Sequence, residues 1–346
     1  MHLRSSAHLP GTGGRLVEAA AEEVLAKKPA GTGDHFWLKV QKDGLGSQQA
    51  REAIARSVNL PVELVSDAGN RDRQVRFTQW FSIPVEPVEH EGPLRRAGAH
   101  GKMHVLELTK SHKPFTAAFV ERIKWKTRIK GANLDGGYLK AKAILDHLRV
   151  MGIPNYAPEN FLGPDAQWVK WGRLLLRGER LPAQVQRSNQ PVSPGSCLRA
   201  VQFWLFNRWV AARIADGWLG GAVAGDLVTT RTGNGKLDLV AADDVLHMDK
   251  RIATWEASVQ GPLFGGGMPE SALTAADREN EILEHADIHL AGLNKLTGGR
   301  RALRVQPQKV ILDLEGDDLT VACELPPDAP LSGLIDELTK TEREKT

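Results

Sequence analysis

The sequence predicts an α+β protein in which one sheet-bearing domain is interrupted by an insertion. Three observations lead there. Residues 33–150 mix strand-like and helix-like patterns, residues 154–299 turn to helices joined by long Gly- and Pro-containing connections, and strand patterns return at 304–325. Strand content that resumes after a helical interlude is what an insertion leaves behind in a sequence. A domain made of 1–153 and 300–346, holding a second domain at 154–299, is therefore expected.

The elements follow in chain order. A strand is expected at 35–40, then a helix from Ser47 with Ala50, Ile54 and Val58 on one face, stopped by Pro61. A short segment at 62–66 leads to a turn around Asp72, and strands follow at 78–83, 103–108 and 115–129. A helix at 138–150 ends at Gly152-Ile153-Pro154, a break suited to a domain boundary. Helices are then expected at 168–176, 197–215 and 274–285. The strands 304–314 and 319–325 flank Glu315-Gly316-Asp317-Asp318, a hairpin by its turn chemistry, and a last helix covers 331–342.

Composition narrows the function classes. The chain has 346 residues, 41% hydrophobic and 25% charged, as in ordinary globular proteins. Its two cysteines, Cys197 and Cys323, lie far apart without Cys/His clustering, so neither a disulfide framework nor a zinc site is indicated. Residues 1–30 lack the apolar core of a signal peptide, and no run approaches the ~18 apolar residues a membrane span needs, so a cytoplasmic protein without membrane association is expected. The net charge is only +3, and what matters is where the positive charge collects. Arg122, Lys124, Lys126, Arg128 and Lys130 alternate with Ile123, Trp125, Thr127 and Ile129, giving a strand with one apolar and one cationic face. Such a face can follow a phosphate backbone, and Lys102, Arg95, Arg96, Lys140 and Lys142 add to the same region. The plainer alternative is a solvated edge strand whose lysines guard against aggregation.

The sharpest chemical signal is Gly69-Asn70-Arg71-Asp72-Arg73. A carboxylate between two guanidiniums, entered through Gly-Asn, sits where the backbone can turn sharply and where positive charge keeps it ionised, ready to act as nucleophile or base. A turn-capping aspartate in a surface ion pair is the competing reading.

That stretch and the following Thr78-Gln79-Trp80-Phe81 resemble the Gly-x-Lys-Asp-Arg/Lys…Thr-x-Gln-Trp signature of the TruD family of tRNA pseudouridine synthases. Gly31-Thr32-Gly33-Asp34-His35, Gly152-Ile153-Pro154-Asn155-Tyr156, Leu205-Phe206-Asn207, Gly261-Pro262-Leu263-Phe264-Gly265 and Arg300-Arg301-Ala302-Leu303-Arg304 resemble further family motifs in family order. The resemblance implies a pseudouridine-synthase catalytic domain, with a mixed, largely antiparallel sheet and helices, interrupted by an inserted α/β TRUD domain. It implies a stand-alone, monomeric isomerase that acts on a uridine in the D-arm of tRNA without cofactor or metal.

By the same resemblance Asp72 starts cleavage of the N-glycosidic bond. Phe115, aligned with the family's Gly-Asn-x-Phe, is the candidate for stacking on the flipped base, with a buried strand aromatic as its alternative. Arg15, Arg71 and Arg73 compete to be the basic partner of Asp72, and Lys102, Lys113, Arg122, Lys124, Lys126, Arg128, Lys130 and Asn155 are candidates for RNA contact. The chain departs from the family pattern in four places, the first being Arg71 where the family has Lys, which keeps the charge but not the geometry. His112-Lys113 stands where the family has Gly-Asn, Ala20-Ala21-Glu22-Glu23 stands near the family's Pro-Glu-Asp-Phe, and Ala157-Pro158-Glu159-Asn160-Phe161 follows Tyr156. The other function class that fits these residues is a non-catalytic RNA-binding protein that keeps the fold.

Three further patterns carry less. Glu281, His285 and His289 share one face if the helix continues, a metal-like arrangement better read as a solvated face. The glycines of 11–14 and 265–267 lack the Lys-Ser/Thr of a phosphate loop, and Ser82 and Ser196 have no nucleophile elbow. The aromatics Phe203, Trp204, Phe206 and Trp209 recur in helical order and are expected in a core.

Overall fold

A computed structural model describes residues 3–71, 74–86, 91–98, 101–186 and 192–340. In chain order its strands are β1 (Arg15–Leu25), β2 (His35–Lys42), β3 (Ser66–Asp67), β4 (Arg76–Pro84), β5 (Met103–Ser111), β6 (Val120–Lys130), β7 (Ile153–Pro154), β8 (Leu227–Thr230), β9 (Leu237–Leu239), β10 (Ala257–Leu263), β11 (Gly299–Ala302), β12 (Arg304–Val305), β13 (Gln308–Glu315) and β14 (Asp318–Leu325). Its helices are α1 (Ser47–Ser57), α2 (Gly92–Arg95), α3 (Gly137–Met151), α4 (Gln167–Leu176), α5 (Ala183–Gln186), α6 (Pro194–Ala215), α7 (Val245–Ala253), α8 (Leu273–Ala286), α9 (Leu290–Leu293) and α10 (Leu331–Thr339). The chain groups into two units, one of residues 13–138 and 308–328, the other of 1–12, 139–307 and 329–346. No helix among the described residues is long and apolar enough to cross a membrane.

The first unit is built on an eight-stranded sheet in the order β13-β14-β6-β1-β4-β2-β5, with β3 beside β4. All its pairings are antiparallel except β1 with β4. Period-two alternation gives the sheet two distinct faces. On one, Phe36, Leu38 and Val40 of β2 and Phe81 and Ile83 of β4 pack with Ala50, Ala53 and Ile54 of α1, Leu94 of α2 and Met103. Ala50, Ala53 and Ile54 lie three and four apart, so α1 offers one small-residue stripe to that face, and the helix ends before Pro61. The other face carries the cations of β6, where burial alternates residue by residue from Ile123 to Lys130.

The second unit packs around α6, whose Leu205, Phe206, Trp209 and Val210 meet Val228 of β8, Val259 of β10, Met248 and Ile252 of α7 and Ile282 and Leu283 of α8. A four-stranded sheet in the order β11-β10-β8-β9 backs the helices. Arg304 closes two helices at once: it donates to the Met151 carbonyl of α3 at 2.6 Å and to the Ile252 carbonyl of α7 at 2.8 Å, with its guanidinium 4.2 Å from the Trp255 ring centre.

Several expectations are corrected. The strand expected over 115–129 starts at Val120, because Ala117–Phe119 is a 3₁₀ turn and Phe115 precedes it. The strand expected over 304–314 is two strands broken at Gln306-Pro307, where proline supplies no ladder N–H. The last helix ends at Thr339, and residues 341–342 lie outside the described residues. Helix α8 ends at Ala286 and Asp287 is left-handed, so His289 does not continue the face of Glu281 and His285. β6 is no edge strand: β14 pairs along one side and β1 along the other. β1 itself, rich in Ala and Glu, has no strand-like composition and owes its place to the two strands beside it.

Candidate active site

Asp72 and Arg73 lie outside the described residues; the chain on their N-terminal side is held firmly. Gly69 has φ of 102°, a conformation that glycine adopts without strain, and its N–H donates to Asp67 Oδ1 at 2.7 Å. The Gly69 carbonyl accepts from Gln79 Nε2 at 2.9 Å. Gln79 Oε1 in turn accepts from Ser47 Oγ at 2.9 Å, and Ser47 Oγ accepts the Arg71 N–H at 3.0 Å. Gln79 and Ser47 are both buried, so the bond between them is shielded from water, while the bonds they make to Gly69 and Arg71 reach toward the surface.

The side chain of Arg71 is anchored as well. Its Nε donates to Glu23 Oε1 at 2.8 Å, and Glu23 Oε2 accepts the Trp80 N–H at 2.8 Å. Glu23 has no exposed side-chain surface, and burial pushes its carboxyl up, outweighing the opposing pull of Arg71 and the Trp80 N–H. Two cations lie close to the Phe77 ring, Arg71 Cζ at 5.8 Å and Lys42 Nζ at 5.5 Å from its centre, and Trp125 meets it edge-on at 6.1 Å. Lys42 is fully buried and donates to the Leu45 carbonyl at 3.0 Å.

The β6 cations stand on the other face, and their cross-strand neighbours sort them. Arg128 lies beside Glu18 and bridges Asp318 at 2.7 Å, and Lys124 stands between Glu22 and Glu324. Glu22 also pairs with Lys39 at 2.5 Å and Glu324 with Lys309 at 2.9 Å. Arg122 reaches the Glu324 carbonyl at 3.4 Å. Lys126, by contrast, stands between Ala20 and Ala322, and Lys130 stands directly opposite Arg15. Two exposed like charges in direct register repel each other, and an anion placed over them relieves that repulsion.

Phe115 is fully buried, its N–H donated to Ser82 Oγ at 2.7 Å and its ring packed against Trp37 at 5.0 Å and Phe119 at 5.9 Å. Trp37 Nε1 donates to the Lys113 carbonyl at 2.8 Å, leaving the Lys113 side chain exposed. Trp37 and Ser82 are register partners on the cationic face, so the structure brings Phe115 to the β6 side and Arg71 to the other. Asn155, in the second unit, is fully buried: Nδ2 donates to the Ala302 carbonyl at 3.0 Å and Oδ1 accepts from Arg301 at 2.7 Å. No atom of it is offered to RNA. Asn207 likewise closes both backbone groups of Ala157, at 2.7 Å and 3.1 Å. The family-like motifs of the second unit are thus its internal ties.

A family model described as tRNA pseudouridine synthase D (TruD) matches residues 5–158 and 197–328. The chain belongs to the TruD family. It is 32% identical to the tRNA pseudouridine synthase D of Anaeromyxobacter dehalogenans, over 98% of this chain and 96% of that one. A Thermus thermophilus protein of the same name is 27% identical over 96% and 91%. Among solved structures the putative TruD of Methanosarcina mazei matches with a TM-score of 0.73 at 16% identity, covering 99% and 97% of the two chains, a likeness of fold. Membership places the chain in an isomerase family, and the TruD-type loop around Asp72 is the part whose N-terminal side is locked by Glu23, Ser47 and Gln79. Of these three, Gln79 lies in the Thr-x-Gln-Trp motif; Glu23 is visible in the sequence only within a stretch that departs from the family pattern.

Proposed function

We propose that this chain isomerises a uridine in the D-arm of tRNA to pseudouridine, with Asp72 as nucleophile or base and without a cofactor. In that reaction the N1–C1′ bond breaks, the base turns, and C5 bonds to C1′; the proton on C5 leaves to solvent and N1 takes one up. The protein's part is to hold an unstacked base and to keep its sugar beside one ionised carboxylate. The observation that carries the reading is the double anchoring of Arg71, by backbone to Ser47 and by side chain to Glu23, in a chain matched to the TruD family on both sides of Asp72. Arg71 so held gives the motif a fixed N-terminal flank, the kind of support that catalytic geometry needs.

In this reading Phe115 stacks on the target base once the aromatic packing around it opens, Arg15, Arg71 and Arg73 remain the candidates for the basic partner of Asp72, and the cationic face of β6 with Lys113 contacts the RNA backbone. The segment 154–299 is the inserted TRUD domain, a reading supported by the return of β13 and β14 to the sheet of the N-terminal strands. The enzyme acts as a monomer in the cytoplasm.

The deciding experiment uses tRNA transcripts tritiated at C5 of uridine, with wild type and Asp72→Asn compared. Release by wild type alone, with tRNA affinity of the variant within a few-fold, is the expected result. No release from wild type with binding intact would instead identify an RNA-binding protein that keeps the fold.

A further inference from the structure

At the strand ends where β4 begins, β2, β4 and β5 frame a cleft of about 220 Å³ lined by Gln41, Lys42, Asp43, Arg76, Gly101, Lys102 and His104. Two lysines and an arginine line it against one carboxylate. The backbone ties the rim together, since the Asp43 N–H donates to the Lys102 carbonyl at 2.9 Å. Lys42 forms the buried wall, its ammonium on the Leu45 carbonyl and over Phe77, the ring it shares with Arg71. The Arg76 Nε meets Asp43 at 3.4 Å with both side chains more than half exposed, a loose contact of the kind worth ~0–1 kcal/mol that a guanidinium readily exchanges for a better acceptor. A phosphate oxygen pair is that acceptor, because it matches the planar fork.

The cleft is continuous with the β6 cations. Arg76 is the register partner of Ala20, Ala20 of Lys126, and Lys126 of Ala322, so Arg76 and Lys126 stand on the same face two strands apart, about 10 Å. Between and beyond them lie alanines, which leave the floor flat and open. Lys126 and Lys130 continue the line along β6, four residues or about 13 Å apart on the same outward face, with Arg128 between them bridged to Asp318.

We infer that this cleft is a phosphate-binding site for the RNA backbone, with Arg76 and Lys102 as its contacts, and that Lys126 and Lys130 carry the same strand onward across the sheet. The inference rests on the reading of the substrate as tRNA. It adds where the backbone is gripped on the C-terminal side of the Asp72 loop.

The test measures tRNA binding against salt concentration for wild type, Arg76→Gln, Lys102→Gln and the double variant, with Lys236→Gln, on the turn between β8 and β9, as a control. Removing one phosphate-binding cation should lower the magnitude of the slope of log affinity against log salt by about 0.7–0.9. The double variant should bind several-fold more weakly, with KM raised and kcat within twofold, while Lys236→Gln matches wild type. Unchanged slope and affinity in the double variant, with an unaltered thermal melt, would overturn the site. Failure of the enzymatic reading is separate: it shows as no tritium release from wild type, and the salt slopes still report the cleft.

Discussion

Arg71 and Glu23 form an ion pair at 2.8 Å in which the carboxylate has no exposed side-chain surface and the guanidinium keeps only about an eighth of its own. Neither partner can be removed without leaving the other stranded in a low-dielectric site. Glu23→Ala is expected to cost ~3–5 kcal/mol of stability. Glu23→Gln keeps the shape and the acceptor for Trp80 but gives up the charge. It is expected to stay folded and to lower kcat at least tenfold with the tRNA KM within twofold, read from initial rates of tritium release.

Ser47 and Gln79 are the second hold on the same loop. Gln79→Ala leaves the buried Ser47 hydroxyl without its acceptor, worth ~1–3 kcal/mol, and releases the Gly69 carbonyl of the exposed turn. Chemical denaturation should show that loss, and single-turnover rates should fall by more than the change in tRNA affinity. A fall in affinity alone would show that the loop's position does not limit the chemistry.

The β6 cations should divide by their neighbours. Lys126→Glu, between two alanines, is expected to raise the tRNA KM at least tenfold in low salt and less in high salt. Arg128→Gln, at a residue already bridged to Asp318, should change the KM less than twofold. Equal effects would mean that the sheet is read only by its total charge.

Gly33 has φ of 130° and packs against the turn after β5, where a Cβ would meet the Ser111 carbonyl and come within 2.6 Å of the His112 nitrogen. Gly33→Ala therefore meets both a disfavoured backbone conformation and a collision with main chain that cannot swing aside. A loss of ~2 kcal/mol or more in urea midpoint experiments is expected, on the order of an overpacked core.

Three buried carboxyls, Glu23, Asp226 and Glu279, are pushed up by burial against the pull of their arginines. A carboxyl whose folded pKa lies above its unfolded one binds a proton first in the folded state, so its contribution is fully present below the unfolded value and is lost as pH rises through the folded one. Mild acidification should therefore favour the wild type over Glu23→Gln. Thermal melts from pH 7 down to pH 4.5 should show the wild type gaining on Glu23→Gln as the pH falls, and a wild type that loses ground over that range would contradict the burial argument.

Much of the fold was legible because its pattern is local. The alternation of Arg122 to Lys130 and the apolar run of α6 announce a strand and a core helix, and both are found. β1 was not legible, since nothing in Ala19-Ala20-Ala21-Glu22-Glu23 favours an extended chain; pairing to β6 and β4 imposes it. The short strands β8 and β9 are hidden for the same reason, each being too brief to carry a period. At the site, the Gly69-to-Arg73 turn stands out by its charges. Glu23 and Ser47 do not, because what matters about them is that a strand and a helix distant in sequence deliver them to the same loop.

The pairing of β14 with β6 has a consequence for the protein's birth. Thr127 on β6 donates to the carbonyl of Val321 on β14, 194 residues later in the chain. On a ribosome extending at ~5–20 residues per second, the N-terminal strands wait about ten seconds or more for that partner. Through that interval β6 is an open edge, and the charges that line its outer face are what keeps a neighbouring nascent chain from pairing there first.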